Sequence, residues 1–185
     1  MSLIRVCWEH KMVIHTVEQV HELYNAISSN TAITVDSLKD RISKLDALSF
    51  FAAMKYEKIG NDPIKGHPLN LIEQLNQTYS SLVVLAGVKD LLQTYPDKSF
   101  ELHLGAISGH DIQSTDGEVI AECFAVTSIS SNDKLNKDCK KLMDANAIHK
   151  HIYFYSHEDS EKKLQNRYRK YPEICFKKVY PINDI

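Results

Sequence analysis

The chain has 185 residues, of which 43% are hydrophobic and 25% are charged, and its formal net charge at pH 7 is -2. These values are typical of an ordinary globular protein with one domain and a sizeable core. They argue against a protein that coats nucleic acid through its overall charge, although a local basic surface is compatible with them.

The sequence has no segment typical of a signal peptide or a membrane-spanning helix. Arg5, Glu9 and Lys11 interrupt the N-terminal segment, and no apolar run reaches the roughly 18 residues that a transmembrane helix needs. Four scattered cysteines form no CxxC pair, which is typical of reduced thiols. We therefore predict a cytoplasmic protein that has no membrane partner.

Two helices are predicted in the first third of the chain. Apolar residues at three- and four-residue spacing predict the first over residues 16–27, with the polar residues 28–30 ending it. A second is predicted over residues 34–58. Its apolar stripe and shortage of arginine favour packing or homodimerisation over insertion into a DNA groove. Residues 60–68, with two Pro and two Gly, mark a boundary.

We accordingly predict an N-terminal helical extension over residues 1–65 and a core over residues 66–185. From residue 68 onward the predicted order is helix, three strands, helix, strand, helix, strand. The three consecutive strands fall within residues 100–126, and Asp116-Gly117 is a two-residue hairpin signal. Residues 131–132 and 159–160 supply candidate caps for the last two helices.

Two carboxylates lie among the apolar residues of these strands. Asp111 opens the second strand and Glu122 lies in the middle of the third. Buried acids are rare without a partner or a metal ion, so this placement indicates a functional site. Because strand side chains alternate between faces, Glu122 shares its face with Phe124, and Cys123 points away. Glu73 lies near the beginning of the preceding helix.

This arrangement resembles the PD-(D/E)xK nuclease superfamily, which has the restriction-endonuclease-like fold. In that family a helix with a frequent Glu precedes three antiparallel strands, an Asp begins the second strand, and Glu-x-Lys lies on the third. The resemblance implies an α+β core, an α/β/α sandwich with a central mixed sheet, that hydrolyses DNA with Mg²⁺ or Mn²⁺. It implies Glu73, Asp111 and Glu122 as metal ligands, and carboxylates are suitable ligands for hard Mg²⁺.

The chain departs from the family pattern at Phe124, where the family has a Lys that orients and helps to deprotonate the attacking water. One interpretation is that this function has moved to the following helix, which carries Lys134, Lys137, Lys140 and Lys141. Of these, we expect Lys134 or Lys137 to serve. The other interpretation is a degenerate site, in which the fold binds nucleic acid or a protein partner without catalysis.

A structural role for each acid also stays open. Asp111 suits a turn at a strand entry, Glu122 suits a buried ion pair with a base such as Lys89, and Glu73 suits a solvated helix face. His110 directly precedes Asp111 and is a further candidate for contact with phosphate or metal.

A basic segment near the C-terminus is the predicted nucleic-acid contact. Residues 162–170 include Lys163, Arg167, Arg169 and Lys170, with tyrosines nearby. Basic residues bind phosphates and tyrosines offer stacking surfaces, which together suit DNA. The alternative is an ordinary solvated helix face.

Overall fold

The computed structural model describes residues 12–104, 108–129, 133–158 and 161–185. Its elements are β1 (Met12–Ile14), α1 (Val17–Lys44), α2 (Ala47–Tyr56), β2 (Gly60–Asn61), β3 (Pro68–Leu69), α3 (Leu71–Thr94), β4 (Phe100–Leu102), β5 (Ile112–Ser114), β6 (Val119–Ser128), α4 (Lys134–Asp144), β7 (His149–Glu158), α5 (Glu161–Lys170) and β8 (Ile174–Lys178). The candidate caps at residues 131–132 and 159–160 lie outside the described residues.

Six strands form one mixed sheet in the order β1-β4-β5-β6-β7-β8. Strands β1, β4, β5 and β6 are neighbours in that order and pair antiparallel, whereas β6, β7 and β8 run parallel. The parallel pairs follow helical crossovers through α4 and α5, because parallel neighbours cannot be joined by a tight turn. The predicted α+β class with a central mixed sheet is therefore confirmed.

Helices lie on both faces of this sheet. Residues of α1 and α3 form one core with Cys123 and Tyr153, whereas residues of α4 and α5 form a second core with Phe124 and Phe154. Strand β6 therefore has apolar neighbours on both sides, which explains why its first half is hydrophobic on both faces. Because α1 and α3 cover one face and α4 and α5 cover the other, only residues of α4 and α5 can meet the strand side chains on the Phe124 face.

Helix α1 does not end at the polar residues 28–30, so that prediction is wrong. Asn30 Nδ2 donates to the carbonyl of Pro63 at 3.0 Å, and Thr34 Oγ1 donates to Gln74 Oε1 at 2.7 Å. Polar side chains disrupt helices mainly by competing for nearby backbone groups. Here these side chains have tertiary partners, so the helix continues.

The break between the first two helices comes instead at Leu45–Asp46. The Asp46 carboxylate accepts hydrogen bonds from the backbone N–H groups of Leu48 and Ser49 and so caps α2. The helix predicted over residues 34–58 is thus divided between the end of α1 and a separate α2.

The N-terminal segment contributes directly to the main sheet and its core. Strand β1 pairs with β4 at the sheet edge, and Val20, Leu23 and Ile27 of α1 are buried against α3 and the sheet. The boundary between residues 65 and 66 stays a prediction.

Candidate active site

The ladder between β5 and β6 places the two strand acids side by side. Ile112 lies opposite Ala121, so the same register sets Asp111 opposite Glu122. Directly opposed residues share a sheet face, with Cβ atoms about 4.5–5.5 Å apart. Asp111 Oδ2 also accepts a hydrogen bond from the Cys123 backbone N–H at 2.7 Å. Pairing of two strands thus brings the two predicted metal ligands together.

Glu122 is almost completely buried, with 1% of its surface exposed. Its Oε1 lies 2.7 Å from His110 Nδ1 and 2.6 Å from Lys141 Nζ. Lys141 also donates to the carbonyl of Gly109. A buried carboxylate needs this kind of partner, since an isolated charge would be very costly there. The lysine beside Glu122 is therefore Lys141.

Helix α4 carries a second ion pair next to the first. Lys134 Nζ donates to Asp138 Oδ1 at 2.8 Å. Asp138 is 3% exposed, and its Oδ2 has no hydrogen-bond partner within the described part of the chain. Lys134 and Lys141 are seven residues, or two turns, apart and so lie on the same side of the helix.

Asp138 was missed by the sequence analysis. The available signal was its position between Leu135 and Leu142 on the buried stripe of α4, where an acid is unexpected. Its contact with the site depends on how α4 is rotated against the sheet.

The pKa of Asp111 is raised to about 6. Burial is the main cause, and the charge of Glu122 adds to it. The hydrogen bond from the Cys123 backbone and the charges of Lys134 and Lys141 act in the opposite direction. Asp111 is therefore an acid whose charge is disfavoured unless a cation approaches it.

The ion pair on α4 responds to the same environment. Burial raises the pKa of Asp138, although the hydrogen bond from Lys134 opposes that shift. Burial also disfavours the charge of Lys134, but the hydrogen bond to Asp138 and the charges of Asp138, Asp111 and Glu122 outweigh it, so the pKa of Lys134 is raised. Lys134 thus stays a cation at neutral pH and is unsuited to act as a base.

A buried histidine extends the row of polar residues across the sheet. The His103 backbone N–H donates to the Asp111 carbonyl at 2.9 Å, which continues the β4–β5 register. His103 is 6% exposed, and neither ring nitrogen has a hydrogen-bond partner among the described residues. Gly109 has φ +121°, and a Cβ there would lie 2.6 Å from His103 Nδ1, so a larger residue would collide with the ring.

Phe124 occupies the position where the PD-(D/E)xK superfamily, which the sequence resembles, has a lysine. Its side chain is 3% exposed, and its ring stacks on Phe154 with centroids 5.8 Å apart. Position 124 is therefore part of the core between β6, β7 and α4.

Glu73 and Lys137 are not brought to this cluster. Glu73 is exposed in the first turn of α3, where its backbone N–H donates to Asn70 Oδ1. Helix α3 packs on the sheet face that bears Tyr153, which is opposite to the face that bears Glu122. Along α3, Glu73 comes 14 residues, or about 21 Å, before Gly87, which packs against Tyr153. Lys137 is exposed on α4, and no ion pair joins it to the described residues of the cluster.

The predicted nucleic-acid contacts are described in part. Arg169 and Lys170 are exposed on α5, and Lys170 Nζ lies 5.1 Å from the centroid of the Tyr171 ring. The side chains of Lys163 and Arg167 lie outside the described residues. Helix α5 covers the same sheet face as α4, so its exposed cations border the face that bears Glu122.

The two carboxylates fit a site that is completed by waters and substrate. Within the described ranges, no group of three or more His, Cys, Asp or Glu residues is arranged to hold a metal ion. Mg²⁺ does not require such a group, because one or two carboxylates with waters and substrate oxygens suffice. Hydrogen bonds between described residues engage only Oδ2 of Asp111 and Oε1 of Glu122. The second oxygen of each carboxylate suits a hard cation.

No protein family model and no curated protein matches the chain. Among solved structures, it is similar to the crystal structure of protein VC1899 from Vibrio cholerae, with a TM-score of 0.39 and 13% sequence identity. The similarity covers 91% of this chain and 50% of that one, so the chain spans half the length of its structural neighbour. No described helix is both long and apolar enough to cross a membrane.

Proposed function

We propose that the protein is a nuclease, dependent on Mg²⁺ or Mn²⁺, that hydrolyses phosphodiester bonds of DNA on a restriction-endonuclease-like core. The observation that carries the proposal is the pairing of Asp111 with Glu122 on one sheet face, beside two lysines of α4. The raised pKa of Asp111 adds support, since strongly perturbed acids are concentrated at functional sites.

Asp111 and Glu122 would hold the cation between them. A bound Mg²⁺ supplies charge stabilisation at a nonbridging phosphate oxygen and lowers the pKa of a coordinated water. Glu122 is buried and Asp111 is half-buried, which limits the competition of bulk water for their oxygens. Glu73 has no role in this proposal because α3 holds it far from the pair.

Lys141 takes the role that Phe124 cannot perform. Its ammonium group lies 2.6 Å from Glu122 Oε1 and so is within hydrogen-bond reach of any water held at that carboxylate. Lys134 remains charged beside Asp138 and would bind a phosphate oxygen. Lys141, the lysine proposed for this role, lies two helical turns beyond Lys134, the first of the residues that the sequence favoured.

A plasmid cleavage assay with Mg²⁺ or Mn²⁺ tests the proposal. Glu122→Gln keeps the size of the side chain but removes its charge, and Lys141→Met keeps most of the apolar stem. We expect each to lower the cleavage rate by about 10²-fold or more, as for loss of a positioned proton-transfer or charge-stabilising group.

Lys137→Met is the matched control for Lys141→Met. It makes the same change at an exposed position on the same helix and should leave cleavage within about twofold, since surface changes away from the site have small effects. Metal-independent cleavage, or equal activity in the Glu122→Gln protein, would exclude the proposed mechanism.

A second candidate function is a nuclease-like module that binds DNA or a protein without cleaving it. It is favoured by the contacts of Glu122, whose Oε1 already has both His110 and Lys141 as partners, and by the core position of Phe124. This reading predicts metal-independent DNA binding with no cleavage. It also predicts that Glu122→Gln destabilises the fold by stranding Lys141.

A further inference from the structure

Asp138 lies on the buried side of α4, where an apolar residue is expected. It comes between Leu135 and Leu142 and is 3% exposed. Its Oδ1 accepts a hydrogen bond from Lys134 Nζ at 2.8 Å, but its Oδ2 has no hydrogen-bond partner among the described residues. A buried carboxylate with one unpaired oxygen lowers stability. Asp138 therefore has a role other than support of the core.

The partner of Asp138 is a cation at the edge of the candidate site. The Lys134 side chain is 43% exposed, and it lies on the side of α4 that faces the two strand acids. Its charge lowers the pKa of Asp111 more strongly than the charge of Lys141 does. Because electrostatic interactions weaken with distance, this order agrees with a position of Lys134 near Asp111.

The two strand acids differ in their partners. Glu122 Oε1 contacts both His110 and Lys141. Asp111 Oδ2 accepts a hydrogen bond from the Cys123 backbone, and no ion pair joins Asp111 to another of the described residues. A lysine released into this site would therefore find its open partner in Asp111.

We propose that Asp138 is a positioning residue that holds Lys134 away from Asp111 and so keeps an oxygen of Asp111 open for a divalent cation. The inference rests on the metal site of the proposed function and deepens it. Lys141 already competes with a metal ion at Glu122. A second lysine on Asp111 would leave neither carboxylate free. Held by Asp138, Lys134 instead stays beside the site, where it can bind a phosphate oxygen.

Loss of the Asp138 charge would leave Lys134 in need of a new partner. Burial disfavours the charge of Lys134, and after Asp138 the next charge that raises the pKa of Lys134 is that of Asp111. We therefore expect Lys134 to pair with Asp111 in Asp138→Asn. If Lys134 occupies Asp111 for about nine-tenths of the time, the apparent dissociation constant for a metal ion rises about 10-fold.

Titration of the DNA-free protein with Mn²⁺ tests the inference without a cleavage assay, since electron paramagnetic resonance reports the free ion. Asp138→Asn should raise the Mn²⁺ dissociation constant about 10-fold. Asp138→Leu, which matches the apolar neighbours of position 138, should do the same. Asp144→Asn is the matched control, because Asp144 is exposed on the same helix, and it should leave the dissociation constant unchanged. Circular dichroism should show that each variant keeps its helix content.

A second substitution distinguishes direct pairing from a general effect of charge. Adding Lys134→Met to Asp138→Asn should restore the dissociation constant to within about threefold of the wild-type value, because the competing cation is gone. Adding Lys137→Met removes the same charge from an exposed position of α4 and should restore nothing.

Two results would overturn the role of Asp138 and leave the metal site standing. They are wild-type affinity for Mn²⁺ in both Asp138 variants, and equal restoration by Lys134→Met and Lys137→Met. A wild-type protein that binds no Mn²⁺, or binds it no better than Glu122→Gln does, would overturn the metal site and this inference with it.

Discussion

At the residue scale, the ionised form of Asp111 lowers the stability of the folded protein. Its raised pKa means that the native state holds the Asp111 proton more tightly than the unfolded chain does. The native state therefore gains stability from Asp111 at low pH and loses it as the pH rises through about 6. Above that pH the ionised side chain lowers stability, mainly because it is desolvated and also because Glu122 lies beside it.

Asp111→Asn should therefore stabilise the metal-free protein at pH 8. Asparagine keeps an oxygen for the Cys123 N–H but carries no charge, so we expect a gain of about 1–2 kcal/mol in the free energy of unfolding. At pH 4 most of the gain should be lost, because Asp111 is then protonated in the folded protein and about half protonated in the unfolded chain.

Urea unfolding in EDTA at the two pH values measures this difference. Asp97→Asn serves as the control, since Asp97 is an exposed carboxylate and its replacement should change little at either pH. Destabilisation by Asp111→Asn at pH 8 would show that the charge of Asp111 is needed for folding.

At the element scale, the length of α1 depends on contacts distant in sequence. Thr34 is 2% exposed and bonds to Gln74 Oε1, and Asn61 Nδ2 donates to the same hydroxyl at 3.1 Å. These bonds join the middle of α1 to α3 and to β2.

Thr34→Val should lower the free energy of unfolding by about 1–2 kcal/mol, because it removes the bond from Thr34 to Gln74 and leaves the Asn61 Nδ2 donor without its acceptor. Thr31→Val is a matched change in the same helix, since the buried Thr31 Oγ1 has no partner among the described residues. That variant should be neutral or slightly more stable. Chemical denaturation of both proteins measures the contrast, and equal losses would show that the Thr34 bonds contribute nothing specific.

Local patterns in the sequence predict much of the fold but fail where tertiary contacts decide. The three consecutive strands and the helix before them are predictable, because alternation and apolar spacing there agree with the burial each element finally has. The end of α1 is not predictable in this way. Residues 28–30 are typical helix terminators, but Asn30 bonds to Pro63 and Thr34 bonds to Gln74, so the helix continues past them.

The same limit applies to the site. The face shared by Asp111 and Glu122 follows from strand alternation and is visible in the sequence. The choice of Lys141 over Lys137 depends on the rotation of α4 against the sheet, which local spacing does not determine. Lys134, Asp138 and Lys141 all lie on the side of α4 that faces the acids.

At the scale of the whole molecule, the N-terminal segment contributes to the same core as the C-terminal part. Ile14, Val20, Leu23 and Ile27 are each at most 5% exposed and pack with α3 and the sheet. Burying four such side chains contributes about 6–12 kcal/mol, which is comparable to the whole stability of a typical domain.

A fragment of residues 66–185 should therefore fail to fold on its own, despite the predicted boundary at residue 65. We expect a fragment with no cooperative urea transition and a poorly dispersed amide spectrum, whereas the full chain unfolds cooperatively. A fragment that unfolds cooperatively with native-like spectra would establish residues 66–185 as an independent domain.

Lys141 has a consequence for how ligands bind together. In the absence of other cations it acts as an internal counter-ion for Glu122, so an incoming divalent ion must compete with an ammonium group that is already in place. A phosphate that accepts the displaced lysine would remove that competition. Under the proposed function, the affinities for metal and for DNA are therefore coupled, and thermodynamic reciprocity requires each to strengthen the other by the same factor.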